Sequence, residues 1–364
     1  MKIGITLDMS IAFWSNGMQQ NIVFLYSLLS RAGHDCYYIS NEKPAHELHK
    51  DHKGMLLKDL IDDRNEVLDV LIIGGFDLLP EMYGKLRKRN PKMKLILVHF
   101  GNKLMDDINY AICNTETPRV PLKKPEGLDQ VWISPHHEFA KEYIKTYYRI
   151  DNVHVAPYIW DSFFVDEKIA QLKKKKLSPF YRSKDATKIC IFEPNLSFLK
   201  NCVVPVAICE RFNQLFGEEI ESVNVFGCQK LREKTYFQKL MHKFGIVDDT
   251  DKCFFNNRWG ALDALSKFGS TVVSHQIYNQ LNYSHLEALY LGVPLIHNSP
   301  ILENLGYYYP EFDVEMGARQ LKNVIQNHAS TIQAYKKDAQ QFLDSCSPYT
   351  IENTQAYLRL IENG

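Results

Sequence analysis

The residues best placed to do chemistry each follow a short apolar run: Asn16 and Gly17, Gly74 and Gly75, His99, the loop that reaches Lys200, Arg258, and the segment from Ser274 to Glu287. If those runs are strands of an open α/β sheet, these positions lie outside the strands' carboxyl ends. Ligands settle there, beside helix N-termini that favour negative charge. An anion has to be captured at such a place, because Lys plus Arg and Asp plus Glu both number 43 and no global basic field exists. The segment from Ser274 to Ile296 is the richest: an Asn-rich loop enters a helix, the helix stops at Gly292, and a strand begins at Pro294. Within it, Ser284 and Glu287 have the S-x-x-E spacing of a capping box, which would make the glutamate a purely structural cap.

Short apolar runs alternate with amphipathic stretches along most of the chain, the pattern of a parallel sheet covered by helices on both faces. Ile3 to Leu7 predicts a strand, and Ile22, Leu25, Tyr26 and Leu29, at i, i+3, i+4 and i+7, predict a helix. Gly33 falls at its C′ position and Cys36 to Ile39 reads as the next strand. A second βαβ unit runs from Leu68 to Ile73, through a helix over Met82 to Arg89, to a strand from Lys94 to Val98 that ends at His99. Strands follow at Gln130 to Ile133 and Val153 to Val155. The alternation lapses between Trp160 and Ser183 and restarts with strands at Lys188 to Phe192, Ser222 to Phe226, Cys253 to Phe255, Thr271 to Val273 and Pro294 to Ile296. Beyond Met316 the chain reads as mostly helical, broken at Ser347 and Pro348. The fold class is therefore α/β, with two Rossmann-like domains facing a central cleft and C-terminal helices. The boundaries are a domain over 1–160, a linker over 161–183, a domain over 184–345, and a last helix over 346–364 that could cross back to the first domain.

At 45% hydrophobic and 24% charged, 364 residues suit about two globular domains. The eight cysteines stand singly, with no C-x-x-C pair. They read as small core hydrophobes in a reducing compartment rather than a zinc site or a disulfide framework. Met1 to Leu7 alternates like a strand and lacks a signal peptide's apolar region, and no run is long enough to span a bilayer, so the expected location is the cytoplasm. Lys173 to Lys176 reads as a solvated linker, with peripheral contact to acidic lipid as the alternative. Asp249-Thr-Asp251 sits in a polar run and reads as a surface turn rather than a manganese motif. His136 and His137 lack a third ligand and read as the start of a helix after Pro135. With no G-x-G-x-x-G and no Walker loop, dehydrogenases and P-loop kinases are disfavoured; no metal and no nucleic-acid partner are expected.

Ser274 to Ile296 resembles the nucleotide-sugar site of GT-B glycosyltransferases, in particular the retaining, family 4-like group. Members carry glutamate, seven residues, then glutamate before Ala-x-x-x-Gly-x-Pro. Glu287, Ala288, Gly292 and Pro294 match the second half of that pattern, while Asn279 stands where the family has its first glutamate. Phe192 to Asn201 is similar to the loop in which such enzymes place an arginine and, five residues on, a lysine. Lys200 matches the lysine, Asn195 takes the arginine's place, and Arg258 is a candidate replacement. Gly17 matches a glycine of the first βα loop, and His99 a histidine beside the sugar; a strand-end histidine bonded to a carbonyl is the alternative for His99. The wording of Glu193 to Asn195, Leu281 to Tyr283 and Leu295 to Pro300 also resembles an uncharacterised bacterial GT-B-like group.

The resemblance implies a glycosyltransferase that moves a sugar from a nucleoside diphosphate to an acceptor hydroxyl on a glycan, lipid or protein, retaining and metal-independent, with no cofactor besides the donor. It implies an acceptor-side first domain and a donor-binding second one. Donor-binding residues would be Gly17, Lys200, Arg258, Asn282, Tyr283, Ser284 and Glu287, with His99 and Asn279 in catalytic positions. Glu287 can accept from both ribose hydroxyls while helix N–H groups near Asn282 to Ser284 face phosphate. Two alternatives stay open: a catalytically lapsed nucleotide-sugar-binding partner subunit, kept alive by Asn279 and Asn195, and a sugar-nucleotide epimerase of the same fold.

Overall fold

The computed structural model describes residues 1–9, 17–42, 52–62, 67–113, 127–217, 220–248 and 252–362. The chain divides into two compact units, Met1–Asp161 with Ser345–Gly364, and Ser162–Asp344. Each is built on one parallel sheet with helices, as the alternation of apolar runs predicts.

The first unit holds β1 (Lys2–Thr6), β2 (Asp35–Ser40), β3 (Gly54–Leu56), β4 (Val70–Ile73), β5 (Lys94–His99), β6 (Gln130–Ile133) and β7 (Val153–Val155), in the order β3-β2-β1-β4-β5-β6-β7. Ile3 lies opposite Cys36 on one side and Val70 on the other. β4 and β6 are buried at every residue, which is why β4 reads as a continuous apolar run and β6 as one after its buried first residue, Gln130. The helix Gly17–Arg31 buries the predicted stripe Ile22, Leu25, Tyr26 and Leu29, and Gly33 follows it at φ 88°, a conformation open to glycine at little cost. The last helix, Ile351–Glu362, belongs to this unit: Lys94 Nζ donates to Ile361 O at 2.6 Å, Gln130 Nε2 to Leu360 O at 2.9 Å and Tyr357 OH to Pro157 O at 2.8 Å.

The second unit holds β8 (Lys188–Ile191), β9 (Ser222–Val225), β10 (Cys253–Phe255), β11 (Thr271–Val273), β12 (Leu295–His297) and β13 (Tyr307–Tyr308), in the order β10-β9-β8-β11-β12-β13. Its core gathers Ile189, Ile191, Val206, Phe212 and Val225, closed by Ala318, Leu321 and Val324 of the long helix Val314–Ser345. The stretch 161–183 contains the helix Phe163–Lys174, tied to this unit by Lys168 on Asp263 at 2.7 Å and Tyr290 OH on Asp166 at 2.7 Å. Lys173 to Lys176 are exposed at its end.

In each sheet the chain leaves its first strand in one direction and returns to continue in the other, between β1 and β4 and between β8 and β11. Those two gaps are where an open α/β sheet offers a crevice.

All eight cysteines are free; Cys113 departs from the core expectation by being exposed, at the end of the amphipathic helix Lys103–Cys113. His136 and His137 are buried in the 3-10 turn Pro135–Ala140. Asn16 and Asp249 to Asp251 lie outside the described residues. Among the described residues no helix is long and apolar enough to cross a membrane, and no cluster of three or more metal-ligating side chains occurs.

Candidate active site

The loop after β8 owes its shape to one amide. Asn195 adopts φ 56°, which asparagine tolerates better than most residues. Its Nδ2 donates to Glu193 O at 2.6 Å and Phe226 O at 3.1 Å, and its Oδ1 accepts from Cys202 N at 2.8 Å. The chain then doubles back, with Asn195 N donating to Lys200 O at 3.1 Å and Ile277 N to Leu199 O at 2.8 Å. Lys200 and Gln276 pair as an antiparallel bridge. The loop after β8 is thus stitched to the loop after β11, and Lys200 is anchored at the switch point of the sheet.

At the centre of this junction lies a carboxylate, Glu193, 1% exposed. Ser274 Oγ donates to Glu193 Oε1 at 2.5 Å, His275 N to the same oxygen at 3.2 Å, and Gln276 Nε2 to Oε2 at 3.4 Å. Burial pushes its carboxyl up to about 7, against the pull of those donors and of Lys200. Ser274 Oγ also lies 2.8 Å from His285 Nε2. A hydroxyl has one proton, and the ionised carboxylate takes it, so His285 donates through Nε2 and its buried Nδ1 keeps no partner among the described residues. His275 Nδ1 meets Tyr309 OH at 3.0 Å, and that hydroxyl donates to Ser274 O at 2.9 Å. Burial holds His275 and His297 down at about 4 and His285 well below its usual value, so these three histidines are neutral at pH 7.

The helix Tyr283–Leu291 starts from Asn282, whose side chain accepts from Ser284 N at 3.2 Å. Ser284 is therefore the second residue of the helix rather than its cap, and Glu287 stands a full turn further in. The capping-box alternative for Glu287 fails on that ground, because an N-cap box needs its glutamate three residues after the cap. Glu287 has no hydrogen-bond or ion-pair partner among the described residues, and burial alone pushes its carboxyl up to about 7. Tyr283 is buried on the helix's first turn, and Gly292 ends the helix at φ 66°. Asn279, 7% exposed, donates from Nδ2 to Gln276 Oε1 at 2.6 Å and to Leu281 O at 3.5 Å.

Lys200, Asn279, Asn282, Tyr283, Ser284 and Glu287 thus share the loops after β8 and β11 and the helix that follows. Arg258 does not: it lies exposed on the loop after the edge strand β10, two strands from β8. Glu193 joins the site without having been given a role by its type or spacing, and Ser274, Gln276 and His285 take individual roles within a segment singled out only as a whole. The signal that could have found Glu193 is an acidic residue directly after an apolar strand.

Gly17 and His99 belong to the first unit. Gly17 opens the helix Gly17–Arg31, its carbonyl accepting from Asn21 Nδ2 at 2.9 Å. Across the β1/β4 gap, Gly74 N and Gly75 N donate to Thr6 Oγ1 at 2.9 and 3.0 Å, and a Cβ on Gly75 would stand 2.2 Å from Thr6 O. His99 ends β5 and meets the Tyr148 hydroxyl at 3.0 Å rather than a carbonyl. Burial pushes it down to about 4, so it acts as a neutral imidazole.

Asn195 fills its position with structure. Putting arginine there would trade three satisfied amide bonds for an enclosed guanidinium in a left-handed turn, so Asn195→Arg is expected to cost about 2–4 kcal/mol of stability. A urea melt that leaves the midpoint unmoved would contradict this.

A family model described as "Protein of unknown function (DUF2827)" matches residues 3–361. No curated protein matches the chain. Among solved structures, an α-glucosyltransferase in complex with UDP covers 100% of both chains at 12% identity and TM-score 0.62. Sucrose-phosphate synthase from Thermosynechococcus elongatus covers 100% of both at 12% and 0.59, and WaaG, a glycosyltransferase involved in lipopolysaccharide biosynthesis, covers 100% of both at 13% and 0.58. These neighbours are GT-B glycosyltransferases, and the fold of this chain is GT-B: two Rossmann-like domains with a C-terminal helix.

Proposed function

We propose that this chain, which belongs to the DUF2827 family, is a glycosyltransferase that takes a sugar from a nucleoside diphosphate to an acceptor hydroxyl, retaining and without a metal. The observation that carries the reading is the pairing of an anchored lysine with an unpartnered, half-buried carboxylate at one switch point. Lys200 follows β8, and Glu287 lies on the helix after β11. A carboxylate partly withdrawn from water without a donor is unfavourable in the empty protein and suits a ligand that brings hydroxyls. Lys200 and the N-terminal N–H groups of the helix Tyr283–Leu291 suit the diphosphate.

In the reaction the bond from the anomeric carbon to the diphosphate oxygen breaks, and its electron pair leaves with the phosphate. The acceptor oxygen bonds the same carbon, and its proton passes to the departing diphosphate. Fixed positive charge on the leaving group is how such a site dispenses with a metal. Asn279 is assigned to the sugar.

A thermal-shift screen against UDP, GDP, ADP, CMP and dTDP sugars tests the reading, since a ligand bound by the folded state alone raises the melting temperature. A hit at 100 times its dissociation constant should add about 2.7 kcal/mol. The absence of any shift across the panel would sink the proposal. The lapsed-binder reading is favoured by one feature, the commitment of Asn195 to loop structure, which leaves the arginine's charge unreplaced beside Lys200. Binding without transfer or hydrolysis would select it.

A further inference from the structure

Three acceptor and donor groups form a line through the donor site. Glu193, after β8, is bonded by Gln276, after β11, whose Oε1 accepts from Asn279 Nδ2. The Gln276 backbone is held on both sides by Asn298, after β12: Asn298 Oδ1 accepts from Gln276 N at 2.9 Å, and Asn298 Nδ2 donates to Gln276 O at 3.0 Å. With its backbone clamped, Gln276 has only its side-chain amide left to orient, and the neighbour that decides the orientation is an ionised carboxylate that can only accept.

We propose that Glu193 is a positioning residue: through Gln276 it fixes the amide of Asn279 so that Asn279 presents its carbonyl oxygen, as an acceptor, to a hydroxyl of the donor sugar. The steps follow from proton count. Ionised Glu193 demands N–H from Gln276, which turns Gln276 Oε1 toward Asn279, which must answer with Nδ2. Asn279 Oδ1 is then left with no partner among the described residues. The inference rests on the proposed function in one respect, that the hydroxyl belongs to a donor sugar. The site would thus demand a hydroxyl through an amide wired to a carboxylate one strand away, where a direct carboxylate would sit at position 279.

Protonating Glu193 reverses the line. The acid can donate to Gln276 Oε1, Gln276 Nε2 then donates to Asn279 Oδ1, and the ligand-facing acceptor is consumed. The other groups facing Glu193 are Ser274, His275, His285 through Ser274, Lys200 and Tyr309. Burial keeps both histidines neutral and pushes Tyr309 well up, so none of these three changes charge between pH 6 and 8. Glu287 titrates in the same window and has to be separated by substitution.

Two measurements on the full chain test this. In ligand-free protein carrying 15N in its Asn and Gln side chains, the Asn279 and Gln276 amide signals should move together between pH 6 and 8. The movement should persist in Glu287→Gln and vanish in Glu193→Gln. Signals that stay still in the wild-type protein, or that still move in Glu193→Gln, would overturn the proposal whether or not any nucleotide binds. In calorimetry, the best hit among UDP-glucose, UDP-N-acetylglucosamine, GDP-mannose and ADP-glucose is compared with its own nucleoside diphosphate. The sugar's added affinity should drop about tenfold in Glu193→Gln, and about tenfold in the wild type from pH 8 to 6, with little change in diphosphate binding at pH 8. Equal sugar preference in both proteins would refute the link to the donor, and failure of every nucleotide would instead count against the proposed function.

Discussion

Glu287→Gln is expected to make the protein more stable and its donor site weaker under the same conditions. In the unfolded chain this carboxyl titrates near 4.3, whereas burial holds it at about 7 in the folded one. A group whose folded value is raised contributes stability that is fully present below about 4.3 and is lost as pH rises through 7. At pH 8 the native state therefore carries an ionised group that costs about 3–4 kcal/mol, and the neutral, nearly isosteric amide removes that cost. For a unit of this size the gain corresponds to roughly 6–16 °C in melting temperature. At pH 4 the two proteins should melt together. Binding moves the other way, because a charge-assisted bond to a hydroxyl contributes about 1.5–3 kcal/mol, and losing it weakens a nucleoside diphosphate about tenfold to a hundredfold. A structural glutamate would lose stability on the same substitution. A fall in melting temperature at pH 8, or unchanged nucleotide affinity, would place Glu287 outside the site.

That opposition between stability and binding also explains what the sequence could and could not disclose. The strands were legible because both faces of each sheet are covered, so a strand such as β4 reads as an unbroken apolar run, and Gly33 and Gly292 mark helix ends by their left-handed backbone. β3 and β13 were not: β3 is an edge strand that opens on glycine and buries no residue, and β13 has only two residues, so neither shows the apolar run that marks equally short strands such as β7, β11 and β12. The same limit applies to the site. Glu287 and Lys200 could be singled out because their positions match the pattern of the glycosyltransferases that the chain resembles. Gln276 could not, and Glu193 offered only its place directly after an apolar run, since their importance lies in a bridge between two loops 76 residues apart along the chain, from Lys200 to Gln276. The capping-box alternative for Ser284 and Glu287 arises from a local ambiguity. Asn282, two residues earlier, is an equally good cap by type, and only the actual helix start decides between them.

Lys200→Ala is expected to weaken a nucleoside diphosphate about tenfold to a hundredfold while leaving the corresponding nucleoside's affinity within about twofold, since one charge-assisted contact to phosphate contributes about 1.5–3 kcal/mol. The bridge to Gln276 and the Asn195 and Ile277 backbone bonds hold the lysine's main chain independently of its side chain, so truncation should remove charge without unfolding the loop. The wild-type affinity should fall as salt is raised from 50 to 500 mM and that dependence should shrink in the variant, because an ion pair open to solvent is screened. Arg258→Ala provides the contrast. Adjacent strands are about 4.8 Å apart, so a loop two strands from β8 starts about 10 Å away, at the limit of an extended arginine. Its truncation should change diphosphate affinity less than threefold. If Arg258→Ala were the more damaging of the two, the diphosphate would sit over β9 and β10, not at the β8/β11 gap, and Lys200 would lose its assignment.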